Sequence, residues 1–197
     1  MDIPCAPILV DITVNGRAIK AVAQPTKQAF LYVFDRATGD PVWPILEKPV
    51  EKGDVPGEWY SPTQPFPSKP PAYDRNGVSF EDLIDFTPQL YDGALRVGSR
   101  YKLGPIFTPP VVSKLEGPLG TLTMGTSGGG TNWPGGSYDP ETHILYVSSQ
   151  SQIAALGLVP PPAGFSDMRY VQGLATTGAR LTGGSGSTAG ADAGATT

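Results

Sequence analysis

One cysteine, Cys5, and one histidine, His143, are present in 197 residues. A single cysteine excludes an internal disulfide, and without a Cys/His cluster there is no zinc site of the usual kind. Cys5 reads as a small, buried or half-buried side chain. The lone histidine argues against a Ser-His-Asp hydrolase: His143 ends the turn Asp139-Pro-Glu-Thr-His143, where it reads as a solvated turn residue. Basic charge is also scarce. Lys and Arg total 14 against 18 Asp and Glu, a net charge of −4, which leaves no footprint for nucleic acid. No run approaches the roughly 20 apolar residues that cross a membrane, and the opening residues do not read as a signal peptide.

Glycine and proline are abundant instead. The chain has 25 Gly and 22 Pro, about a quarter of its length, against 39% apolar residues. That balance predicts many turns, short strands and an extended segment, in a chain long enough for one domain with a real core.

The clearest pattern spans residues 25–43. Phe30, Leu31, Tyr32, Val33 and Phe34 form an aromatic and β-branched run that favours a buried strand. Asp35-Arg-Ala-Thr-Gly39 follows as a turn, with Asp able to close an Asx turn and Gly free to take φ > 0. Trp43 then supplies a large anchor ring. Ahead of this, residues 8–14 and 18–23 are β-prone and flank Asn15-Gly16, which predicts a hairpin with a type I′ turn. Three to four antiparallel strands in about 40 residues is the size of one propeller blade.

Residues 44–117 read differently. The proline-dense run over 58–71 lacks the donors for a central sheet and predicts an extended surface crossing, pinned by Trp59, Tyr60 and Phe66. Ser79 can cap a short helix over 80–86. Thr87 with Pro88 opens a second, with Leu90, Tyr91, Ala94, Leu95 and Tyr101 on one face, a pattern best explained by core packing. β character returns over 118–151, around a glycine-rich loop at 125–131 whose spacing fits no phosphate cradle. Beyond Ser151 the strand signal fades at Pro160-Pro-Pro162, and residues 181–197 are nearly pure Gly, Ala, Ser and Thr, which predicts disorder. An Asp-x-x-Thr turn occurs twice, at Asp35 and Asp139, each beside a Leu-Tyr-Val run.

Taken alone, Lys27 reads as a solvated strand-end lysine and Asn132 as a turn residue. The ordered set of motifs says more. Lys27-Gln-Ala-Phe-Leu-Tyr-Val-Phe-Asp-Arg-Ala-Thr-Gly39 with Trp43, the proline run at 61–71, Glu81-Asp-Leu-Ile-Asp-Phe-Thr-Pro88, Leu103-Gly-Pro-Ile-Phe-Thr-Pro-Pro110 and Gly128-Gly-Gly-Thr-Asn-Trp-Pro-Gly-Gly136 resemble, in this order, the quinoprotein dehydrogenases. These are eight-bladed propellers that carry pyrroloquinoline quinone (PQQ), and the likeness is to the membrane-associated glucose and polyol dehydrogenase branch.

The resemblance implies an all-β fold: a partial β-propeller of one to two blades over residues 1–173, with a long Pro-rich insertion at about 44–117 carrying short helices, and a disordered tail over 174–197. It implies PQQ as cofactor, with Lys27 matching the basic residue at the quinone's reactive oxygens, and Asn132, followed by Trp133, contacting the cofactor's edge. A cation there would stabilise the charge that develops as hydride arrives.

The parent activity would be oxidation of an alcohol or sugar hydroxyl, with calcium polarising the quinone and a membrane quinone or cytochrome taking the electrons. The parent's place would be the periplasm or the periplasmic face of the inner membrane. Departures matter too. The family's catalytic aspartate, also a calcium ligand, falls by spacing just before Met1; Asp2 is the nearest candidate, one step too late, and most metal ligands are missing. The expectation is therefore a fragment, inactive alone and able to associate with the missing part of the propeller. A non-catalytic propeller module for binding or assembly is the alternative.

Overall fold

The computed structural model describes residues 3–124 and 129–176. Its first unit is the predicted meander. Strands β1 (Ile8–Val14), β2 (Arg17–Pro25) and β3 (Leu31–Asp35) pair antiparallel in the order β1-β2-β3. Asn15 and Gly16 both adopt positive φ, 52° and 78°, as a type I′ turn requires. The register pairs Val14 with Arg17 across that turn and runs to Ile8 opposite Ala23. A single antiparallel bridge, Phe34 opposite Pro41, lies beside β3: Val42 N–H donates to the Val33 carbonyl at 2.8 Å, and Asp35 N–H to that of Asp40 at 2.8 Å. Asp35 Oδ1 accepts the Ala37 N–H at 2.9 Å, closing the Asx turn between them. The result is one blade-like sheet, and with the sheets that follow left unclosed the fold is a partial β-propeller.

Alternation along β2 and β3 gives this sheet two different faces. Val10, Ile19, Ala21, Ala23 and Val33 are buried on one face, with Trp43 and Leu145 against them. Phe30 and Tyr32 look the other way, toward Ile106, Phe66 and Phe107. The Phe30, Phe66 and Phe107 rings lie 5.4–6.4 Å apart in tilted and edge-on pairs, the geometry that aromatic quadrupoles favour.

The proline-rich segment therefore covers one face of the blade. Strands β4 (Ile45–Pro49) and β5 (Thr63–Pro67) form a two-stranded ribbon, which tolerates Pro65 and Pro67 because each strand is an edge. Within the run expected to cross the surface in extended form, Thr63–Pro67 pairs with β4 alone, as an edge ribbon and not in a central sheet. Tyr32 ties the ribbon down, its hydroxyl donating to the Pro65 carbonyl at 2.9 Å, and burial together with the Glu47 charge pushes its pKa up to about 12.

The helix expected over 80–86 is only a single 3₁₀ turn, Phe80–Asp82, closed by a capping box between Ser79 and Asp82. Helix α1 (Pro88–Gly98) starts as predicted, with Thr87 as N-cap and Pro88 in the first turn. Its apolar side is not core, however: Gly98 is its one buried residue and Leu90 is 47% exposed.

After β6 (Val111–Val112) and β7 (Thr121–Thr123), the hairpin β8 (Gly136–Asp139) and β9 (Ile144–Val147) lies against the first sheet. Tyr138 and Leu145 pack there, and the Tyr138 hydroxyl donates to the Asp11 carbonyl at 2.7 Å. His143 is an exposed turn residue at φ 57°, beside Tyr138. The fading signal beyond Ser151 concealed a strand. β10 (Ala154–Val159) is the centre of a second sheet, flanked by β7, β6 and β11 (Val171–Gln172). The predicted tail lies, from residue 177 onward, outside the described residues.

Gly16 has open space around it, so replacement by Ala would meet only the backbone penalty of the left-handed region. Gly16→Ala is expected to lower stability by about 1 kcal/mol, measured by urea denaturation, with no change in the β-sheet circular dichroism of the folded state.

Candidate functional site

Lys27 lies in the turn between β2 and β3, formed by residues 26–29. The Thr26 side chain holds both ends: its Oγ1 accepts the Phe30 N–H at 3.1 Å and donates to the Phe30 carbonyl at 3.0 Å. Ala29 N–H donates to the Thr26 carbonyl at 3.1 Å, and Ala29 takes φ 58°, unusual for a residue with a Cβ. Lys27 itself is half-buried.

A second turn, residues 130–135, is bound directly to the first. Thr131 N–H donates to the Thr26 carbonyl at 3.1 Å, and both threonines are 0% exposed. Gly130, at φ 60°, lies flat on the Lys27 backbone, where a Cβ would overlap the Lys27 carbonyl. Lys27 and Asn132 are thus each one residue beyond a bonded pair, Thr26 and Thr131.

Asn132 is half-buried, and its Oδ1 accepts the Trp133 N–H at 2.9 Å while its carbonyl accepts from Gly135 at 2.9 Å. Its Nδ2 makes no hydrogen bond among the described residues. Trp133 is 84% exposed, a flat ring facing solvent next to the same turn. Cys5, buried, donates its thiol to the Thr131 carbonyl at 3.2 Å. Asp2 and residues 125–128 of the glycine-rich loop lie outside the described residues.

A third segment completes the arrangement. The Tyr73 hydroxyl lies 2.9 Å from the Thr26 carbonyl and 2.7 Å from Thr131 Oγ1, and accepts the Thr26 N–H at 3.2 Å. Tyr73 N–H donates to the Ala29 carbonyl at 3.0 Å, and Asn76 Nδ2 to that of Gln28 at 3.0 Å. Thr131 Oγ1 in turn donates to the Ser148 carbonyl at 2.6 Å. Burial raises the Tyr73 pKa, against the lowering effect of its Thr131 and Thr26 contacts. Asp74 accepts hydrogen bonds from the Ser149 and Ser151 hydroxyls, which hold its carboxyl below the ordinary value.

Tyr73, Asp74, Thr26 and Thr131 were missed by the sequence, because each reads as an ordinary loop residue. Gly130 carried the one usable signal, a glycine able to permit close backbone approach.

The donor set suits a planar, polyanionic quinone. It offers one ammonium, one amide with its N–H groups to spare, and an exposed indole, around turns fixed by buried hydrogen bonds. Lys27 and Asn132 would hold the oxygens of such a group, with Trp133 beside them. Among the described residues no group of three or more His, Cys, Asp or Glu is placed to hold a metal ion.

The family described as "Glucose/ethanol/alcohol dehydrogenase, beta-propeller domain" (PQQ) matches residues 1–192. The chain is 34% identical over 166 residues to a quinoprotein glucose dehydrogenase of Escherichia coli, covering 83% of this chain and 20% of that protein. It is 33% identical over 150 residues to a quinate/shikimate dehydrogenase (quinone) of Acinetobacter baylyi, covering 75% and 18%. Against a glycerol dehydrogenase large subunit of Gluconobacter thailandicus the identity is 32% over 162 residues, covering 74% and 21%. The chain thus spans about a fifth of the length of these relatives. No solved structure matches it at a significant level.

Two predictions test this geometry. Gly130→Ala should cost about 3 kcal/mol or more, since overpacking adds to the left-handed penalty, whereas Gly39→Ala, at φ 82° in open space, should show the backbone penalty alone; chemical denaturation compares the two. Asp74 has its folded pKa below the unfolded value, so its contribution is present above pH 3.8 and is lost as pH falls through the folded pKa. Melting temperatures of the native chain and of Asp74→Asn should therefore differ at neutral pH and converge in acid below that value.

Proposed function

The chain belongs to the β-propeller family of PQQ-carrying glucose, ethanol and alcohol dehydrogenases, and from that premise we propose that it supplies the Lys27–Asn132 edge of a cofactor site. The observation that carries this reading is the buried Thr26–Thr131 hydrogen bond, which sets the two turns side by side. Bound PQQ supplies the hydride acceptor for oxidation of a substrate hydroxyl. Lys27 holds a positive charge where negative charge develops on the acceptor, which favours the transition state over the ground state. Asn132 orients without adding charge, and its Oδ1 bond to the Trp133 backbone fixes which end of the amide faces a ligand. Trp133 offers an apolar plane that excludes water from one side.

The named relatives act, by their names, on glucose, quinate or shikimate, and glycerol, all hydroxyl-rich carbon compounds. We assign this chain the same substrate class, an alcohol or sugar hydroxyl, with a membrane quinone or a cytochrome as acceptor at the periplasmic face. Asp2 is the nearest candidate for the general base, and no calcium ligand is assigned to this chain.

Residues 1–173 are read as the propeller segment. Its strands make one three-stranded blade-like sheet, extended by a single bridge at Pro41, and parts of further sheets, whereas a closed propeller needs at least four blades. Activity is accordingly proposed only for this segment joined to further blades, with the isolated 197-residue chain inactive.

PQQ titration, followed by cofactor absorbance with calcium present, tests the reading on the chain alone and joined to the further blades. Binding is expected for the joined form. Lys27→Ala should weaken it by about 10- to 100-fold, the range for losing a charge-assisted hydrogen bond of about 1.5–3 kcal/mol. Unchanged affinity in Lys27→Ala would favour a non-catalytic propeller module instead.

A further inference from the structure

We propose that Tyr73 is a positioning residue for the cofactor site, setting the Lys27 turn against the Asn132 turn through one phenol oxygen. The inference rests on the proposed function, because it takes Lys27 and Asn132 as cofactor contacts.

The Tyr73 hydroxyl lies within 3.2 Å of three groups: the Thr26 N–H, the Thr26 carbonyl and Thr131 Oγ1. These belong to the residues immediately before Lys27 and Asn132. A single oxygen therefore fixes the spacing of two backbones whose next side chains are to meet one ligand. The backbone of Tyr73 acts on the same turn, its N–H holding the Ala29 carbonyl at 3.0 Å. Ala29 carries a Cβ in the left-handed region at φ 58° and is fully buried. Such a conformation persists only where its surroundings over-determine it; here Thr26 holds the Ala29 N–H from within the turn and Tyr73 holds its carbonyl from outside it.

The next residue extends the clamp. Asp74 accepts the Ser149 and Ser151 hydroxyls, just beyond the Ser148 carbonyl that receives the Thr131 hydroxyl. The segment thus joins the β2–β3 turn, the Asn132 turn and the end of the β8–β9 hairpin without itself presenting the ammonium or the amide. Small misplacements matter at such a site, because hydrogen bonds weaken steeply with distance and angle.

The test uses the chain joined to the further blades and two readouts. Amide hydrogen exchange without cofactor should show Thr26 and Thr131 exchanging about tenfold faster or more in Tyr73→Phe, with the β1–β2 amides unchanged. PQQ titration of the folded protein should show about tenfold weaker binding. Thr131→Val, which removes the facing hydroxyl, should weaken binding similarly, while Thr131→Ser, which keeps it, should not. If both Tyr73→Phe and Thr131→Val bind as the native protein does, whatever their melting temperatures, Tyr73 is only structural and the inference is overturned. If Lys27→Ala also leaves affinity unchanged, the cofactor site lies elsewhere and the proposed function itself fails. Weakening by Lys27→Ala alone would sink only the role given to Tyr73.

Discussion

A backbone hydrogen bond between two residues 105 positions apart, Thr131 N–H to the Thr26 carbonyl, decides how much of this chain is arranged. Both residues are fully buried, so their polar groups must find partners within the protein. They do. Thr26 bonds Phe30, Tyr73 and Ala29; Thr131 bonds Tyr73, Ser148 and the Cys5 thiol. Among the described residues no buried side-chain nitrogen or oxygen lacks a partner. A network satisfied in this way is rigid, because moving any member strands a donor or acceptor away from water. Lys27 and Asn132, each next in sequence to one of these threonines, sit on turns held by that network.

The sheet that carries Lys27 is covered differently on its two sides. One side packs aliphatic residues against the β8–β9 hairpin; the other packs Phe30 and Tyr32 against Phe66, Ile106 and Phe107 of the proline-rich segment. The same segment contributes Tyr73 and Asp74 to the turns. Its role is therefore double: it completes the core on one face, and it pins the end of the sheet where β2 turns into β3. A loop rich in proline suits this, since fixed φ values reduce the conformational freedom lost when it is ordered.

Local chemistry made some elements legible. Asn15-Gly16 between β-prone runs allows few alternatives to a type I′ hairpin, and Thr87-Pro88 is a strong helix start. Elsewhere the local signal was overridden. Ser79 does cap, but its capping box closes on a single turn whose Leu83 leaves helical geometry at once. Five of the six residues of β10 are Ala, Leu or Gly, which have little intrinsic strand preference, and only Val159 is β-branched. It is a strand because β7, β6 and β11 supply its partners. At α1 the periodicity was right, yet a patterned face does not say what covers it, and Leu90 stays exposed.

The site shows the same limit more sharply. Lys27, Asn132 and Trp133 could be singled out only through likeness to a family, since a lysine at a strand end and an asparagine in a turn are commonplace. What sets Lys27 beside the Asn132 turn is the turn of residues 26–29, and that turn is not encoded locally. Ala29 takes a conformation costing an L-residue on the order of 1 kcal/mol, in a position where glycine would be the local choice. It is held there by Tyr73, 44 residues along the chain, and roofed by Gly130, whose missing Cβ makes room for the Lys27 carbonyl. The geometry that could present Lys27 to a ligand is thus a tertiary property. It forms only once the blade, the proline-rich segment and the glycine turn have come together.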